Sequence, residues 1–188
     1  MNCPFLFLLY NTGMKIRQEI PCDVPDVHHL TATAFANMPE AEGDEAEFVL
    51  RMRASDGYIA KLALIAETAE GALAAHVMLT HLPILPRVGG NETLPKVLLL
   101  AIISVAPNLQ RKGIGTNLLR EALHRAKSLG FSAVIVLGEP AFYGRFGFRA
   151  SIDFGLRNTN HFPDEYSQAL ELTPGALSNL TGTYHLPS

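Results

Sequence analysis

VLLLAIISV, residues 97–105, is the longest apolar run in the chain, and it leads directly into APNLQRKGIGT, residues 106–116. Nine residues rich in Val, Ile and Leu, entered at Pro95 and left at Pro107, predict a central strand that is buried on both faces. The segments on either side of this strand show equally regular patterns, and together with it they predict the fold.

An apolar stripe at helical spacing follows the strand and predicts a helix over residues 113–129, which Gly130 ends as a C-terminal cap. The stripe consists of Ile114, Leu118, Leu119, Ala122, Leu123, Ala126 and Leu129. Residues 131–137 are apolar again and predict a second strand. A strand–helix–strand unit of this kind implies a right-handed crossover between two parallel strands.

The flanking sequence predicts further elements. These are strands over 16–20, 62–66, 73–79 and 166–172, helices from Pro25 onward and over 44–54, a helical turn over 140–146 and a loop over 81–95. We therefore expect an α/β fold (α+β in some schemes) with a mixed, centrally parallel, twisted sheet that is flanked by helices on both faces. A single domain is expected over residues 14–188, starting at Met14.

Residues 1–13 contain a short apolar stretch over 5–10. It is too short to span a bilayer, which needs about 20 residues, and it lacks the charged start and cleavage site of a secretory signal. We expect either an N-terminal extension over 1–13 or an extra edge strand over 5–10.

The composition restricts the function classes. The 188 residues carry 15 basic and 18 acidic side chains, a formal net charge of −3, with 48% hydrophobic and 18% charged residues. These values argue against disorder and against nucleic-acid binding. Cys3 and Cys22 cannot build a disulfide framework or a four-ligand zinc site, and the histidines lack ligand spacing. We expect a cytoplasmic protein with no metal, membrane or nucleic-acid partner.

The segment after the central strand favours an anionic ligand. A helix N-terminus presents unpaired N–H groups and partial positive charge, and Gly113 and Gly115 allow close approach to them. Residues 106–130 carry five basic side chains and one acidic one, a local charge of +4. The Walker A order is absent, and Leu118 stands where a dinucleotide fingerprint needs glycine. A phosphate ligand is predicted; the alternative is a glycine-bearing helix start without a ligand.

Two motifs carry a family resemblance. Gln-x-x-Gly-x-Gly, from Gln110 to Gly115, resembles the pyrophosphate-binding loop of the GNAT superfamily of acyl-CoA-dependent N-acetyltransferases. Residues 138–148, GEPAFYGRFGF, resemble the aromatic block after the fifth strand of that superfamily, in the variant of its YhbS-like subgroup. Many members carry a cofactor-contacting Asn in the stretch before this block, which this sequence lacks, so that contact is not expected.

The resemblance implies direct transfer of an acetyl group from acetyl-CoA to a primary amine of a small molecule or protein. It assigns acetyl-CoA binding to Ile103, Val105, Gln110, Arg111, Lys112, Gly113, Ile114, Gly115, Thr116 and Tyr143. The Val105 N–H would stabilise charge on the thioester oxygen, and Tyr143 would be the general acid for the leaving thiolate; the alternative role of Tyr143 is aromatic packing. The alternative function is a non-catalytic acyl-CoA-binding module.

The acceptor side is less specific. Candidate bases for the amine are Glu67, His76, His81 and Glu139, and Ser104 either lines the site or bonds to the backbone. Residues 37–47 carry five acidic side chains and no basic one. They form either a rim that attracts a cationic amine or a solvated acidic loop. A homodimer could pair through the apolar strand over 166–172.

Overall fold

The computed structural model describes residues 8–9, 14–38, 41–86, 95–160, 162–178 and 180–187. Within these ranges the helices are α1 (Val24–Phe35), α2 (Glu45–Ala54), α3 (Ile114–Ser128) and α4 (Pro140–Tyr143). The strands are β1 (Leu8–Leu9), β2 (Lys15–Gln18), β3 (Tyr58–Glu67), β4 (Leu73–His81), β5 (Leu85–Pro86), β6 (Val97–Val105), β7 (Ala133–Leu137), β8 (Arg149–Ala150), β9 (Leu156–Asn158), β10 (Ser167–Glu171) and β11 (Gly182–Tyr184).

The chain divides into two compact units, Met1–Leu79 with Ala101–Ala122, and Thr80–Leu100 with Leu123–Ser188. In the first unit the strand order is β1-β2-β3-β4-β6. Antiparallel pairing joins β1 to β2 and β2 to β3. The apolar faces of α1 and α2 pack on this part of the sheet in a cluster of Val27, Val49, Met52, Ala63, Ile65, Met78 and Ile102.

Both faces of β6 are used in the first unit. Ile102 packs with the α1 and α2 cluster, whereas Ile103 and Val105 lie next to Gly115 in the first turn of α3. Because successive side chains of a strand point to opposite faces, α1 and α2 cover one face and the start of α3 lies on the other. The prediction of helices on both faces is therefore confirmed. These helices explain why the apolar run of β6 is buried.

The second unit contains the order β6-β7-β10-β8 and a small sheet of order β5-β11-β9. The pair β6–β7 is parallel, with Val97 opposite Ala133, which confirms the predicted crossover. The neighbouring pairs β7–β10 and β10–β8 are antiparallel. The mixed α/β class is confirmed. The expectation of a centrally parallel sheet is only partly met, because β6–β7 is the one parallel pair among the described registers of the eight-stranded sheet. A parallel pair needs a crossover connection, which α3 provides between these two strands.

The described strand pairs bear on two expectations about strand edges. The strand predicted over 166–172 is observed as β10, and it pairs with β7 along its whole length and with β8 at Gln168 and Ala169. β10 therefore lies between β7 and β8, with its β8 side paired at two residues only, and the homodimer stays a prediction. Leu8–Leu9 pairs with β2 as an edge strand. The rest of residues 1–13 lies outside the described residues, and one domain over 14–188 stays a prediction.

Candidate functional site

At the end of β6, alternate backbone N–H groups point towards β4 and away from it. The Ala106 N–H donates to the Ala74 carbonyl of β4 at 2.9 Å. Since successive N–H groups of a strand point to opposite edges, the N–H groups of Ile103 and Val105 point away from β4. The described ladder between β6 and β7 covers Val97–Leu99 and does not include these two residues.

Gln110 fixes the same strand end. After a short 3-10 turn over Pro107–Leu109, its Nε2 donates to the Val105 carbonyl at 3.2 Å. The Gln110 N–H also has an internal acceptor, the Pro107 carbonyl at 3.4 Å, so a ligand contact from Gln110 stays a prediction. This bond ties the loop to the peptide of Val105, so the loop and the strand end are held together.

The loop itself contains two residues in the left-handed region. Arg111 has φ 60° and Gly113 has φ 82°. A side chain in this region costs about 1–3 kcal/mol of strain, and such strain concentrates at functional sites. Left-handed residues in a turn bring successive N–H groups to one side and form a concave anion site. Arg111 and Lys112 are exposed beside it.

The first turn of α3 completes this cradle. Its first backbone bond runs from the Asn117 N–H to the Gly113 carbonyl at 3.0 Å, so the amides from Gly113 to Thr116 precede the helical ladder. A Cβ added at Gly113 would meet nothing within 4 Å, so the space above it is open. Exposed cations and free amides around open space are the donor set that a pyrophosphate needs.

Ile114 and Gly115 face the protein. Ile114 is buried, and a Cβ at Gly115 would lie 3.1 Å from Cγ2 of Val105. Gly115 therefore allows α3 to pack closely against β6, and its contribution to a ligand is limited to its amide. Of the residues predicted around the loop, the structure brings Ile103, Val105 and 110–116 together in the first unit.

The predicted aromatic block lies in the second unit and is described by itself. The Tyr143 ring is 9% exposed and packs edge-on against Phe142 and Phe148, with ring centroids 4.9 and 5.7 Å away. Burial raises the pKa of the Tyr143 phenol above its usual value. These contacts show that the ring is packed, and the role of Tyr143 as general acid stays a prediction; with its raised pKa the phenol keeps its proton at neutral pH.

The four candidate bases have different surroundings. The Glu67 carboxylate accepts from Arg17 at 2.6 Å, and the Glu139 carboxylate accepts from the Ala141 N–H and caps α4. His76 is fully buried, so an acceptor cannot reach it, whereas His81 at the end of β4 is exposed. Ser104 is also buried, with its hydroxyl 3.1 Å from that of Thr31, and it lines no open site.

His76 belongs to a buried ionic cluster that the sequence analysis missed. Its Nε2 lies 2.8 Å from the Glu19 carboxylate, which Arg53 contacts from α2 at 2.7 Å. Burial lowers the pKa of His76 in spite of this carboxylate. Burial also opposes the ionisation of Glu19, but its two partners outweigh it and hold the pKa of Glu19 below its usual range. The local sequence signal for this cluster was His76 itself, a polar residue within the otherwise apolar start of β4.

This cluster predicts that stability depends on pH. Unfolded histidine gains a proton near pH 6.5, and the buried His76 resists that proton, so the unfolded state binds more protons as the pH falls. The lowered pKa of Glu19 adds a loss in the same direction at more acidic pH. We expect the free energy of unfolding to fall between about pH 7 and about pH 5 in urea titrations.

His76→Gln keeps a donor for Glu19 and removes the titration, so its pH profile should be flatter than that of the wild type over this range. His81→Gln, on the same strand but exposed, is the matched control and should keep the wild-type slope. Equal slopes in the wild type and His76→Gln would contradict the assignment.

Most described acids of the 37–47 segment have internal partners. Asp44 pairs with Arg51 at 2.8 Å, Glu47 contacts His28 at 3.0 Å, and the Glu45 carboxylate accepts from the Glu42 N–H at 2.7 Å. These contacts favour the interpretation as a solvated acidic segment that starts α2, while attraction of a cationic amine stays a hypothesis.

Membrane-spanning helices and metal-ion sites are both absent from the described part of the chain. Its helices include none that is both long and apolar enough to cross a membrane. The same residues contain no group of three or more His, Cys, Asp or Glu side chains placed to hold a metal ion.

Comparison with known proteins gives consistent results. Residues 25–148 match the model of the acetyltransferase (GNAT) family. The chain is 31% identical over 175 residues to the uncharacterized N-acetyltransferase YhbS of Escherichia coli K12, which is 92% of this chain and 96% of that protein. It is 25% identical over 165 residues to the uncharacterized N-acetyltransferase YjhQ of the same strain, covering 87% of this chain and 86% of that protein.

Two solved structures are similar over nearly the whole chain. The crystal structure of YhbS from Escherichia coli in complex with CoA has a TM-score of 0.78 and 26% identity, covering 100% of this chain and 93% of that one. A GNAT family acetyltransferase from Brucella melitensis in complex with acetyl-CoA has a TM-score of 0.72 and 28% identity, covering 95% and 98%.

Proposed function

Since the chain belongs to the GNAT family of acetyltransferases, we propose that it transfers an acetyl group from acetyl-CoA directly to a primary amine of a small molecule or protein. The observation that carries this proposal is the strained, open loop over 111–113 at the start of α3, with its exposed cations and free amides. Two relatives of similar fold bind CoA and acetyl-CoA, which supports the same ligand here.

In this proposal the pyrophosphate is held by the amides from Arg111 to Thr116, with Arg111 and Lys112 neutralising its charge. The backbone groups of Ile103 and Val105, which point away from β4, hold the pantetheine arm. When bound, acetyl-CoA supplies an acetyl group activated as a thioester. The Gln110 amide holds the Val105 carbonyl and the Ala106 N–H is bonded to Ala74, so the strand end that carries the Val105 N–H is held in place before the ligand arrives.

The Val105 N–H has the role of donor to negative charge on the acetyl oxygen. Removal of one preorganised side-chain donor to such a charge costs about 2.7–4 kcal/mol of transition-state stabilisation in another enzyme, which indicates the scale of this contribution. An amide serves better than a cationic side chain here, because its direction is fixed by the strand and needs no reorganisation.

Tyr143 has the role of general acid. As the bond between the amine nitrogen and the acetyl carbon forms and the carbon–sulfur bond breaks, the Oη of Tyr143 donates a proton to the leaving sulfur, which gives a neutral thiol. The proton that the amine loses passes to solvent, and solvent restores the phenol. A phenol has a pKa of about 10 in water and a thiol about 8.5, which are close enough for proton transfer concerted with departure of the sulfur. Burial holds the proton on Tyr143 until a thiolate forms.

The proposal is tested with purified protein, acetyl-CoA and a panel of primary amines. We expect acetyl-CoA to raise the melting temperature and at least one amine to release free thiol in a time-dependent manner. A thermal shift without thiol release from any amine would favour a non-catalytic acyl-CoA-binding module. The absence of any thermal shift would contradict both functions.

A further inference from the structure

A bend at Gly138 forms part of the surroundings of Tyr143. Gly138 follows β7 directly, and its N–H donates to the Tyr166 carbonyl at 2.9 Å. A Cβ added at Gly138 would overlap Cε2 of Tyr143. The Tyr143 ring therefore lies directly against the Gly138 backbone, and the position of this backbone limits where the ring can be.

A buried glutamine holds the same backbone from the other side. Gln168 is 2% exposed, and its Nε2 donates to the Gly138 carbonyl at 2.8 Å. Its own Cα is fixed by pairing with Val136 of β7 and Ala150 of β8. Since Gly138 has its N–H bonded to Tyr166 and its carbonyl bonded to Gln168, the peptides on both sides of this glycine have a fixed orientation.

Tyr143 also has backbone and aromatic contacts within the second unit. Its N–H donates to the Glu139 carbonyl at 3.1 Å, and its ring packs on Phe142 and Phe148. Aromatic pairs are found over a range of centroid separations, about 4.5–7 Å, whereas a hydrogen-bonded backbone in direct contact with the ring blocks one side of it. A small shift of Gly138 would move the phenol oxygen at the far end of the ring.

We propose that Gln168 is a positioning residue for Tyr143: by fixing the Gly138 carbonyl, it sets the direction of the Tyr143 hydroxyl. This inference rests on the proposed function, in which Tyr143 donates a proton. Since Gln168 is buried and its amide is bonded to the Gly138 carbonyl, its proposed effect passes through Tyr143. Misplacement of a reacting group by about 1 Å can lower a rate about 100-fold, so partial loosening should lower it less.

The test is a double-mutant cycle between Gln168→Leu and Tyr143→Phe, with kcat and the acetyl-CoA KM from thiol release. Leu approximates the volume of Gln but cannot donate to the Gly138 carbonyl. We expect Gln168→Leu alone to lower kcat about tenfold and to change KM less than about twofold. In the Tyr143→Phe background, where the hydroxyl is gone, the same substitution should change kcat less than about twofold.

Asn158→Leu is the matched control, because the Asn158 amide is also in the second unit and donates to the Phe162 carbonyl and to Ser167. It should lower the melting temperature but leave kcat within about twofold. If Gln168→Leu does not fold, Gly138→Ala is the second variant, since its methyl group displaces the ring directly. It should lower kcat in the wild type and leave kcat unchanged in Tyr143→Phe.

The outcomes separate the two levels of inference. Equal fold-losses of kcat in the wild-type and Tyr143→Phe backgrounds would overturn the positioning role and leave the proposed function standing. No thiol release from wild-type protein with any amine would overturn the proposed function and the positioning role with it. A kcat loss that vanishes without the Tyr143 hydroxyl supports the proposal.

Discussion

Replacement of Gly113 by aspartate should weaken acetyl-CoA binding about 100-fold, whereas asparagine should weaken it less than about fivefold. Both side chains tolerate the left-handed region better than most, and Gly113 with φ 82° has open space around its Cα. The two variants therefore differ mainly in charge. A carboxylate about 5 Å from a phosphate charge costs about 3 kcal/mol at an effective dielectric constant of about 20.

The measurement is the dissociation constant of acetyl-CoA by calorimetric titration, at low and at moderate salt. The difference between the two variants should shrink as salt is added, because the Gly113 site is exposed. Equal dissociation constants for Gly113→Asp and Gly113→Asn would place the pyrophosphate elsewhere and contradict the loop assignment.

Removal of the Tyr143 hydroxyl should have the largest effect on turnover. We expect Tyr143→Phe to lower kcat about 100-fold and to change the acetyl-CoA KM less than about threefold, since general acid catalysis typically contributes at least about 100-fold. The phenyl ring keeps its contacts with Phe142 and Phe148, so the fold should persist. Initial rates of thiol release and a thermal melt provide both readouts.

Tyr184→Phe is the matched control for this experiment. Tyr184 is also a buried tyrosine of the second unit, but its hydroxyl is 2.9 Å from that of Ser151. Its loss should cost about 1 kcal/mol of stability and leave kcat within about twofold. A similar fall of kcat in both variants would mean that Tyr143 acts through packing alone.

The long elements could be predicted from the sequence, and the short ones could not. β6 has the predicted limits, and α2 and α3 agree to within a residue, because long runs with a clear period and flanking Pro or Gly determine them locally. β5, β8, β9 and β11 have two or three residues each, too few for a period. They form through pairing with distant strands, which local sequence does not encode.

The candidate site shows the same division. The glycine loop and the aromatic block could be located, since their residues are close in sequence. The bonds that hold them could not: Gln168 reaches Gly138 across 30 residues, and the His76 cluster joins Glu19 on one side of the fold to Arg53 of α2. Contacts of this kind depend on the order of strands in the sheet, and local sequence patterns do not determine that order.

The central claim, direct transfer to an amine, is tested most directly with acetyl-CoA that carries an isotopic label in the acetyl group. After a reaction with an active amine from the panel, the label is counted in the amine product, in free acetate and on the denatured protein. The account predicts one labelled amine for each CoA released and no label on the protein. Release of CoA with the label in free acetate, or bound covalently to the protein, would contradict it.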